Sequence, residues 1–405
     1  MSHQNQSVLS RFTMYFTFLL DLMGYFVVLP IFAPLLLSKT SPWQNFYSYE
    51  WRCGFFAFLI FIYAFSQWVG LPLLTSLTSL KGKKPILLLA LSLCLLAYLV
   101  TAFGVLNHNL KLLFVGRLLS GFFSGNSYLL AGEKAADARI WPILAGSFGL
   151  LLGPLLIGIL ADASLHQLFF NALPFWLMAV LLLVNIALAA FLKESKNLPA
   201  PLQLIGFWGG FSSMFSFWKN MKWRLCCSSL FFYFVGWFIF IQFMSAYLLF
   251  EFQFSESAIG FSFAFMGVFW CLALFLEKRT GLLLLNTPQL FGYALFILAF
   301  LSFLLIFFYQ WSFFIVTAAV MISLFAYIWT HMGGFFNGFP EEDNADALSQ
   351  FVYSCSVFSV MVSSIVGGII LICNFRWLYV VAGTCFLLSG FFYTLRKMPN
   401  YATRL

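Results

Sequence analysis

The chain has 405 residues, of which 62% are hydrophobic and only 8% are charged. An ordinary soluble domain is about 25% charged, so this composition excludes a protein whose whole surface is in water. The net charge of +8 could indicate nucleic-acid binding, but basic cytoplasmic loops of a membrane protein account for it equally well. We therefore expect a chain embedded in a lipid bilayer, with no nucleic-acid partner.

The apolar residues form long continuous runs. A helix needs about 20 mostly apolar residues to cross the hydrocarbon core, and in lipid it must satisfy its own backbone hydrogen bonds. The first run continues beyond the length of a signal peptide and lacks a cleavage pattern, so we interpret it as a span. The pattern predicts twelve transmembrane helices, near residues 11–37, 53–77, 85–105, 111–131, 141–161, 169–192, 225–248, 258–276, 288–308, 311–330, 347–372 and 377–394.

The longest connection between predicted spans is residues 193–224, which contain prolines, glycines and several aromatic residues. It separates six helices from six, as in transporters built of two related halves. The sequence therefore predicts an all-α integral membrane protein with two six-helix bundles, residues 1–192 and 225–405. Residues 193–224 are the predicted cytoplasmic linker.

Basic residues are distributed unequally between the two sides of the membrane. Lys39, Arg52, Lys111 and Arg376 fall on the side opposite the N-terminus, Arg117 lies inside a span, and the others fall on the N-terminal side. Cytoplasmic loops carry an excess of lysine and arginine. This asymmetry predicts an inner-membrane protein with both termini in the cytoplasm.

Two ionisable residues lie well inside predicted spans, Asp21 in the first and Arg117 in the fourth. A charge at the bilayer centre costs about 2.5–3.5 kcal/mol on insertion scales, so such residues line a path, lock helices together or reach for the interface. Burial favours the protonated carboxyl group, which would let Asp21 exchange protons near neutral pH, whereas a nearby arginine favours the ionised form. The sequence leaves open which effect prevails.

The residue pattern argues against metal and catalytic sites. The eight cysteines have no paired spacing or flanking histidines, and the four histidines lie at span ends or in loops. We therefore expect no metal site, disulfide or cofactor. Paired carboxylates and nucleophile constellations do not occur inside the predicted spans, so an enzyme is the least favoured class.

Small residues recur at helix-packing spacing on two predicted spans: Gly121 and Gly125 on the fourth, and Gly149, Gly153, Pro154 and Gly158 on the fifth. Glycines four residues apart allow close helix packing, and a proline inside a span adds a kink. Two interpretations stay open at this point. The pattern serves packing alone, or it forms a surface on which helices rock during transport.

Three sequence motifs occur in order along the first half of the chain. The first span contains DLMGYFVVLPIFAP from Asp21, the fourth contains GRLLSG from Gly116, and the fifth contains GLLLGPLLIG from Gly149. Together they resemble motifs of the major facilitator superfamily, specifically its twelve-span proton-linked drug exporters of the tetracycline-pump type. The prolines of the first motif stand one residue further apart than usual, and Ile157 replaces a glycine of the third. The resemblance implies a role of Arg117 in proton movement, and antiport.

The loop after the second span departs from the family pattern. Its sequence TSLTSLKGKKP keeps Gly82, Lys83 and Lys84 but has Ser79 where the family has an aspartate. In the family this acid helps to hold the outward-facing state at the cytoplasmic face. The departure implies that another residue replaces the acid, with Glu133 and Asp137 in the next cytoplasmic loop as candidates, or that the conformational balance is shifted.

The resemblance also implies a central cavity lined by the first, fourth, seventh and tenth helices. Besides Asp21, the candidate substrate-binding residues are polar or aromatic residues of those helices: Asn126, Tyr233, Trp237, Gln242 and Tyr327. Ligand pockets are mostly apolar with a few polar groups. In a chain that is 21% aromatic, core or lipid contacts explain each of these side chains as well.

The leading hypothesis is a monomeric proton-coupled antiporter that exports a small amphipathic or lipophilic molecule, with Asp21 protonation competing against substrate. One alternative is a transporter of a defined metabolite such as a siderophore, sugar or amino acid. Another is a transport-inactive membrane sensor or assembly factor, which the altered cytoplasmic loop favours. The fold alone does not select among them.

Overall fold

The computed structural model describes residues 3–125, 140–162, 170–192, 218–219, 221–280, 288–307, 310–332 and 345–395. Every regular element within these ranges is helical. We number the α-helices α1 to α13 in chain order: His3–Phe26, Leu29–Leu37, Tyr49–Lys81, Lys83–Leu106, Leu110–Phe122, Ile140–Ala161, Leu173–Ala190, Met221–Phe252, Glu256–Thr280, Pro288–Leu304, Trp311–Thr330, Ala345–Cys373 and Trp377–Leu395. Short 3₁₀ turns, Phe170–Ala172 and Leu305–Phe307, precede α7 and follow α10.

Ten helical stretches in the described part of the chain are long and apolar enough to cross a membrane, with mean hydropathies of 1.7 to 2.6. A shorter apolar stretch, Ser147–Ala161, lies on α6, and the predicted fourth span continues past α5 into residues that the structure does not describe. Large apolar side chains such as Phe300 and Val316 remain exposed, as expected where lipid is the solvent. The prediction of a multi-pass helical membrane protein is confirmed.

The first predicted span consists of two helices, α1 and α2, with a break at Val27 and Val28. Proline lacks a backbone N–H, so it is tolerated in the first turn of a helix, and Pro30 occupies that place in α2. The Val27 N–H still donates to the Met23 carbonyl at 2.8 Å. The break therefore falls within two turns of Asp21, near the C-terminal end of α1.

The chain divides into two compact units, residues 1–209 with 254–267, and residues 210–253 with 268–405. The first half of α9 packs with the first unit, whereas the sequence assigned it to the second bundle. Most of the predicted linker, residues 193–217, lies outside the described residues. The predicted boundaries at 192 and 225 therefore stay a prediction.

Helix α6 lies directly against the backbone of α1 in the first unit. A Cβ atom added to Gly149 would lie 2.5 Å from the Leu19 carbonyl oxygen, and one added to Gly153 would lie 3.2 Å from Cγ of Met23. The distance of 2.5 Å at Gly149 is shorter than any side chain permits, so only a glycine fits at this position. The glycine spacing of the fifth predicted span thus brings α6 close to α1 at Leu19 and Met23, the residues on either side of Asp21.

The other end of α6 lies against the start of α9, within the same unit. A Cβ atom at Gly158 would lie 2.7 Å from Cα of Gly260, and one at Gly260 would lie 2.5 Å from the Pro154 carbonyl oxygen. Facing glycines therefore allow two helices to touch along their backbones. Gly121 on α5 has a similar place against α3, where a Cβ atom would overlap the Tyr63 carbonyl oxygen.

The motif residues Gly82, Lys83 and Lys84 join three helices. Gly82 connects α3 to α4 with φ of 86°, a conformation that side chains disfavour. Lys83 and Lys84 open α4, and the Lys84 ammonium donates a hydrogen bond to the Ala190 carbonyl at 2.7 Å. A cation at a helix C-terminus satisfies a free carbonyl and complements the helix dipole. Lys84 thus ties the third predicted span to the end of the sixth.

The second unit is held together by small polar contacts and aromatic rings. Ser229 on α8 and Ser389 on α13 are fully buried, and each hydroxyl donates to the other residue's carbonyl, at 2.8 and 2.7 Å. Two turns further along α8, a Cβ atom at Gly236 would lie 2.7 Å from the Phe386 ring. Aromatic rings fill the space beyond this close approach.

We expect the variant Gly149→Ala to unfold at a lower temperature than the wild type in detergent. The new Cβ atom meets a backbone oxygen that cannot rotate away, and overpacking of this kind costs about 1–3 kcal/mol. The measurement is a thermal unfolding curve followed by loss of the monodisperse peak in size-exclusion chromatography. Gly54→Ala is the matched control, since a Cβ atom at Gly54 has nothing within 4 Å. Equal unfolding temperatures for the two variants would contradict the packing that we describe.

Candidate functional site

Polar side chains follow one face of α1 at intervals of four residues. Thr13, Thr17 and Asp21 fall one turn apart, so they lie on the same face of the helix. Both threonines are fully buried, and Asp21 is partly buried. The hydroxyls of Thr13 and Thr17 donate to the Leu9 and Thr13 carbonyls at 2.9 and 2.8 Å. This face of α1 therefore places a carboxyl group inside the first unit, next to hydroxyls that are already bonded to their own helix.

A small cavity of about 10 Å³ adjoins Asp21. Its polar lining comes from four helices and the segment after α5: Thr17, Asp21, Tyr63, Tyr98, Ser124 and Asn185. Apolar residues and the Cys94 thiol form the rest of the wall. A cavity of this size with several polar groups has room for about one water molecule. The coupling candidate Asp21 thus lies among α1, α3, α4 and α7, in the interior of the first unit.

Asn185 on α7 meets α1 one turn before Asp21. Its Nδ2 donates to the Thr17 hydroxyl at 3.1 Å, and its Oδ1 lies 3.3 Å from the same oxygen. Asn185 is 0% exposed on a helix that is otherwise apolar. Buried amides in a membrane require hydrogen-bond partners, so this contact fixes the position of α7 against α1.

Tyr98 on α4 meets α1 at the next turn after Asp21. A Cβ atom at Gly24 would overlap the Tyr98 hydroxyl, so the glycine of the first motif makes room for this oxygen. Gly24 follows Asp21 by three residues and therefore lies on the same side of α1. Asp21 is accordingly flanked by Asn185 on one side along the helix and by Tyr98 on the other.

Arg117 lies on α5 and is 2% exposed. Its guanidinium carbon stands 4.1 Å from the centroid of the Tyr63 ring and 5.9 Å from that of Phe32. Within the described residues, its Nε and Nη1 atoms have no hydrogen-bond partner. Aromatic faces attract cations, and desolvation strengthens this attraction. The structure therefore places Arg117 inside the protein, not at the interface, which was one of the outcomes left open by the sequence.

Asp21 and Arg117 act on the same side chains. The hydroxyls of Tyr63 and Tyr98 and the Cys94 thiol all lie within the electrostatic reach of both residues. Tyr63 links the two regions, since its ring faces the guanidinium and its hydroxyl pairs with the Ser124 side chain. Asp21 and Arg117 thus both interact with Tyr63 and Tyr98.

The predicted substrate-cavity residues are divided between different surroundings. Tyr233 and Trp237 on α8 both pack against Phe325 of α11, with the Trp237 and Phe325 centroids 4.0 Å apart. Gln242, also on α8, is fully buried, and its Oε1 accepts a hydrogen bond from the Ser363 hydroxyl of α12 at 3.0 Å. The structure therefore brings two of these residues together and directs the third toward another helix.

Two further candidates lie at an end of a described segment or beyond it. Tyr327 is near the C-terminal end of α11, where its ring lies 4.6 Å from the His331 ring. Asn126 lies outside the described residues, as do Glu133 and Asp137, and the side chain of Ser79 is not described. The roles assigned to these residues stay predictions.

Sequence reasoning missed Thr17, Tyr63, Tyr98 and Asn185 around Asp21. The predicted candidates were charged residues in spans and polar or aromatic residues of the four cavity-lining helices of the resembled family, whereas Tyr63, Tyr98 and Asn185 lie on other helices. Asn185 carried a signal, because it is the one amide among the 18 residues of α7. Asp21 was singled out because a polar group inside a span is costly and must face the protein, and the same reasoning applies to a buried amide. The tyrosines carried no such signal in a chain with 16 of them.

No model of a protein family matches the chain. The tetracycline resistance protein of class B from Escherichia coli is 30% identical over 188 residues, which cover 44% of this chain and 43% of that protein. The class H protein from Pasteurella multocida is 31% identical over 162 residues, which cover 38% of each. The chain therefore aligns with less than half of the length of these relatives.

A solved structure matches almost the whole chain. The xylose transporter XylE from E. coli, in a partially occluded inward-open conformation, superposes with a TM-score of 0.70. The match covers 97% of this chain and 98% of that chain at 14% sequence identity, so it shows the fold alone. The chain has the twelve-helix, two-bundle fold of this transporter, and less than half of its sequence is similar to that of the tetracycline resistance proteins.

Proposed function

We propose that this chain is a proton-coupled antiporter of the inner membrane that exports small amphipathic or lipophilic compounds from the cytoplasm. One observation carries the proposal. Asp21 lies at a polar cavity inside the first unit, while a fully buried cation, Arg117, lies behind Tyr63. Intramembrane acids of this kind are typical of proton relays in transporters.

Protonation of Asp21 changes the net charge of this region. With Asp21 ionised, its charge offsets that of Arg117, and with Asp21 protonated the region carries one uncompensated positive charge. Charges interact strongly where water is scarce, so this difference affects every group nearby. A conformation that opens the cavity to water favours ionised Asp21, and a conformation that closes the cavity favours protonated Asp21.

Coupling follows from the linkage between the two ligands. If a bound substrate favours the conformation in which Asp21 is ionised, then a proton on Asp21 must weaken substrate binding by the same factor. A proton entering from outside releases the substrate outward and then permits return of the empty carrier. A charge that moves through 100 mV gains about 2.3 kcal/mol, which supplies part of the driving force.

The packing of α6 supports a transport role. Its glycines face α1 on one side and α9 on the other, and Gly149 and Gly158 approach backbone atoms of these helices. Helices without interlocking side chains can shift along such a surface as rigid bodies. We infer that the motif of the fifth span, Gly149 to Gly158, is a sliding surface of the alternating-access cycle.

The names of the sequence relatives indicate the substrate to test first. Two proteins that are about 30% identical over the aligned segment are tetracycline resistance proteins. Tetracycline is a small amphipathic molecule, which agrees with the aromatic character of the predicted substrate-binding residues Tyr233 and Trp237. We therefore infer that tetracycline or a molecule of similar chemistry is exported.

We expect tetracycline to dissipate the proton gradient of acid-loaded everted vesicles that contain the wild-type protein, and not of vesicles with Asp21→Asn at equal protein amounts. The asparagine is nearly the same size but cannot carry the proton. The measurement is dequenching of a pH-sensitive dye after addition of tetracycline, a cationic dye or an anionic dye. Gradient loss with any of these compounds would assign the substrate class.

The matched control for this experiment is Glu251→Gln. Glu251 is also an acid, but it forms a bidentate ion pair with Arg376, at 3.0 and 3.2 Å, outside the Asp21 cavity. We expect this variant to respond as the wild type does. Proton release by Asp21→Asn at the wild-type rate, or no response of the wild type to any compound, would contradict the proposal.

We expect Tyr63→Leu to reduce proton-driven tetracycline uptake into everted vesicles by about tenfold. The leucine removes the aromatic face under the buried guanidinium, and a desolvated cation–π contact is worth about 2 kcal/mol. Tyr63→Phe is the matched comparison, since it keeps the ring and loses only the hydroxyl, and it should retain most activity. Equal losses in the two variants would show that the hydroxyl, rather than the ring, is what Arg117 requires.

A further inference from the structure

The surroundings of Asp21 include one buried amide that the antiport mechanism does not use. Thr17 and Asp21 lie one turn apart on the same face of α1, and Asn185 binds the first of them. Asn185 and Asp21 also line the same cavity. We propose that Asn185 on the sixth predicted span, held by Thr17, is a positioning residue for Asp21. It binds a water molecule against the Asp21 carboxyl group, and this water controls the proton exchange of Asp21.

The hydrogen bonds of Thr17 decide what Asn185 has left to offer. A hydroxyl has one proton, and the Thr17 hydroxyl is closer to the Thr13 carbonyl, at 2.8 Å, than to Asn185 Oδ1, at 3.3 Å. Its proton therefore goes to the carbonyl, and its oxygen accepts one N–H of the amide. The second N–H and the Oδ1 atom of Asn185 remain for another partner.

Among the described residues, the protein supplies no other hydrogen-bond partner to Asn185 than Thr17. The amide is 0% exposed, and a buried donor or acceptor without a hydrogen bond costs about 1–3 kcal/mol. The adjoining cavity has room for about one water molecule and offers Asp21, Ser124 and the two tyrosine hydroxyls as further partners. A water in this place satisfies the amide and reaches the acid.

The position of Asn185 makes it more than a contact between helices. A water that accepts the amide N–H is left with two protons to donate, and a carboxylate is the strongest acceptor in the cavity. Hydrogen bonds to the charged form of an acid favour that form. Asn185 therefore stabilises the ionised state of Asp21 from a helix that carries no charge of its own.

The groups that face Asp21 from the surrounding helices also influence its protonation. They are Tyr63 on α3, Cys94 and Tyr98 on α4, and Arg117 on α5, each of which interacts electrostatically within this cluster. These groups belong to helices other than α7. The contribution of Asn185 therefore changes when α7 moves relative to α1, even if the rest of the cluster stays in place.

This inference rests on the proposed coupling role of Asp21 and adds the sixth predicted span to the coupling device. A shift of α7 that separates Asn185 from Thr17 removes the water, and Asp21 then favours a proton. Because Lys84 on α4 holds the carbonyl of Ala190 near the end of α7, movement at the cytoplasmic face reaches the same helix. The state of the cytoplasmic ends is thus linked to the proton site.

The test measures protonation of Asp21 without any substrate. Dicyclohexylcarbodiimide reacts with protonated carboxyl groups in apolar surroundings, and mass spectrometry of the Asp21 peptide gives the labelled fraction as a function of pH. For Asn185→Leu we expect the midpoint of this curve to move to higher pH by about one unit, since a lost hydrogen bond to a charged group has this size. Asn185→Thr, which restores a hydroxyl to bind the water, should return at least half of that shift.

Leu183→Ala is the matched control, because Leu183 lies on the same helix but is 59% exposed and does not line the cavity. Its midpoint should equal that of the wild type. An unchanged midpoint in Asn185→Leu, or the same shift in Leu183→Ala, would overturn the role of Asn185. A wild-type protein in which Asp21 is not labelled at any pH overturns it as well.

The labelling experiment and the vesicle experiment fail separately. If Asp21 is labelled with a midpoint that Asn185→Leu does not move, the inference on Asn185 is wrong and the antiport proposal is unaffected. If the midpoint moves but Asp21→Asn transports as the wild type does, Asn185 acts on an acid that does not couple transport. Monodisperse elution of Asn185→Thr ensures that at least one variant of this position reports on a folded protein.

Discussion

The structure depends on one constraint, which is that polar groups surrounded by lipid must find their partners within the protein. Serines and threonines meet it by bonding to their own helix or to a facing one, as Thr17 and the pair Ser229 and Ser389 do. Arg117 is different, because within the part of the chain that the structure describes its Nε and Nη1 atoms have no hydrogen-bond partner, and its guanidinium lies over the Tyr63 ring. The arrangement around Asp21 is best understood in relation to this buried cation.

The close packing of helices determines how such a site can change. Gly149 brings the backbone of α6 against that of α1, whereas Asn185 and Lys84 attach α7 to specific atoms of α1 and α4 through hydrogen bonds. Movement is therefore easier along the contact between α6 and α1 than along the contacts of α7. A proton and a substrate that favour different arrangements of these contacts are coupled to each other without touching.

Much of the fold could be predicted from sequence because its cause is local. A continuous run of 20 apolar residues has only one stable conformation in lipid, and the basic residues indicate orientation. The motifs also placed Asp21 and Arg117 on the correct helices. Their surroundings were not predictable in the same way, because Asn185 reaches Thr17 across 168 positions in the chain and Tyr98 reaches Gly24 through a gap that only a three-dimensional arrangement shows. Gln242 illustrates the same limit, since no local pattern indicates that its amide lies against Ser363.

The most direct test of the account is whether the carboxyl group of Asp21 takes up and releases a proton within the membrane. Infrared difference spectroscopy of the protein in lipid, recorded between high and low pH, detects the carbonyl band of a protonated carboxylic acid. We predict that a band from a dehydrated carboxylic acid appears in the wild type and is missing from Asp21→Asn, while Glu251→Gln keeps it. The same band in Asp21→Asn as in the wild type would show that another group carries the proton, and the account would be wrong.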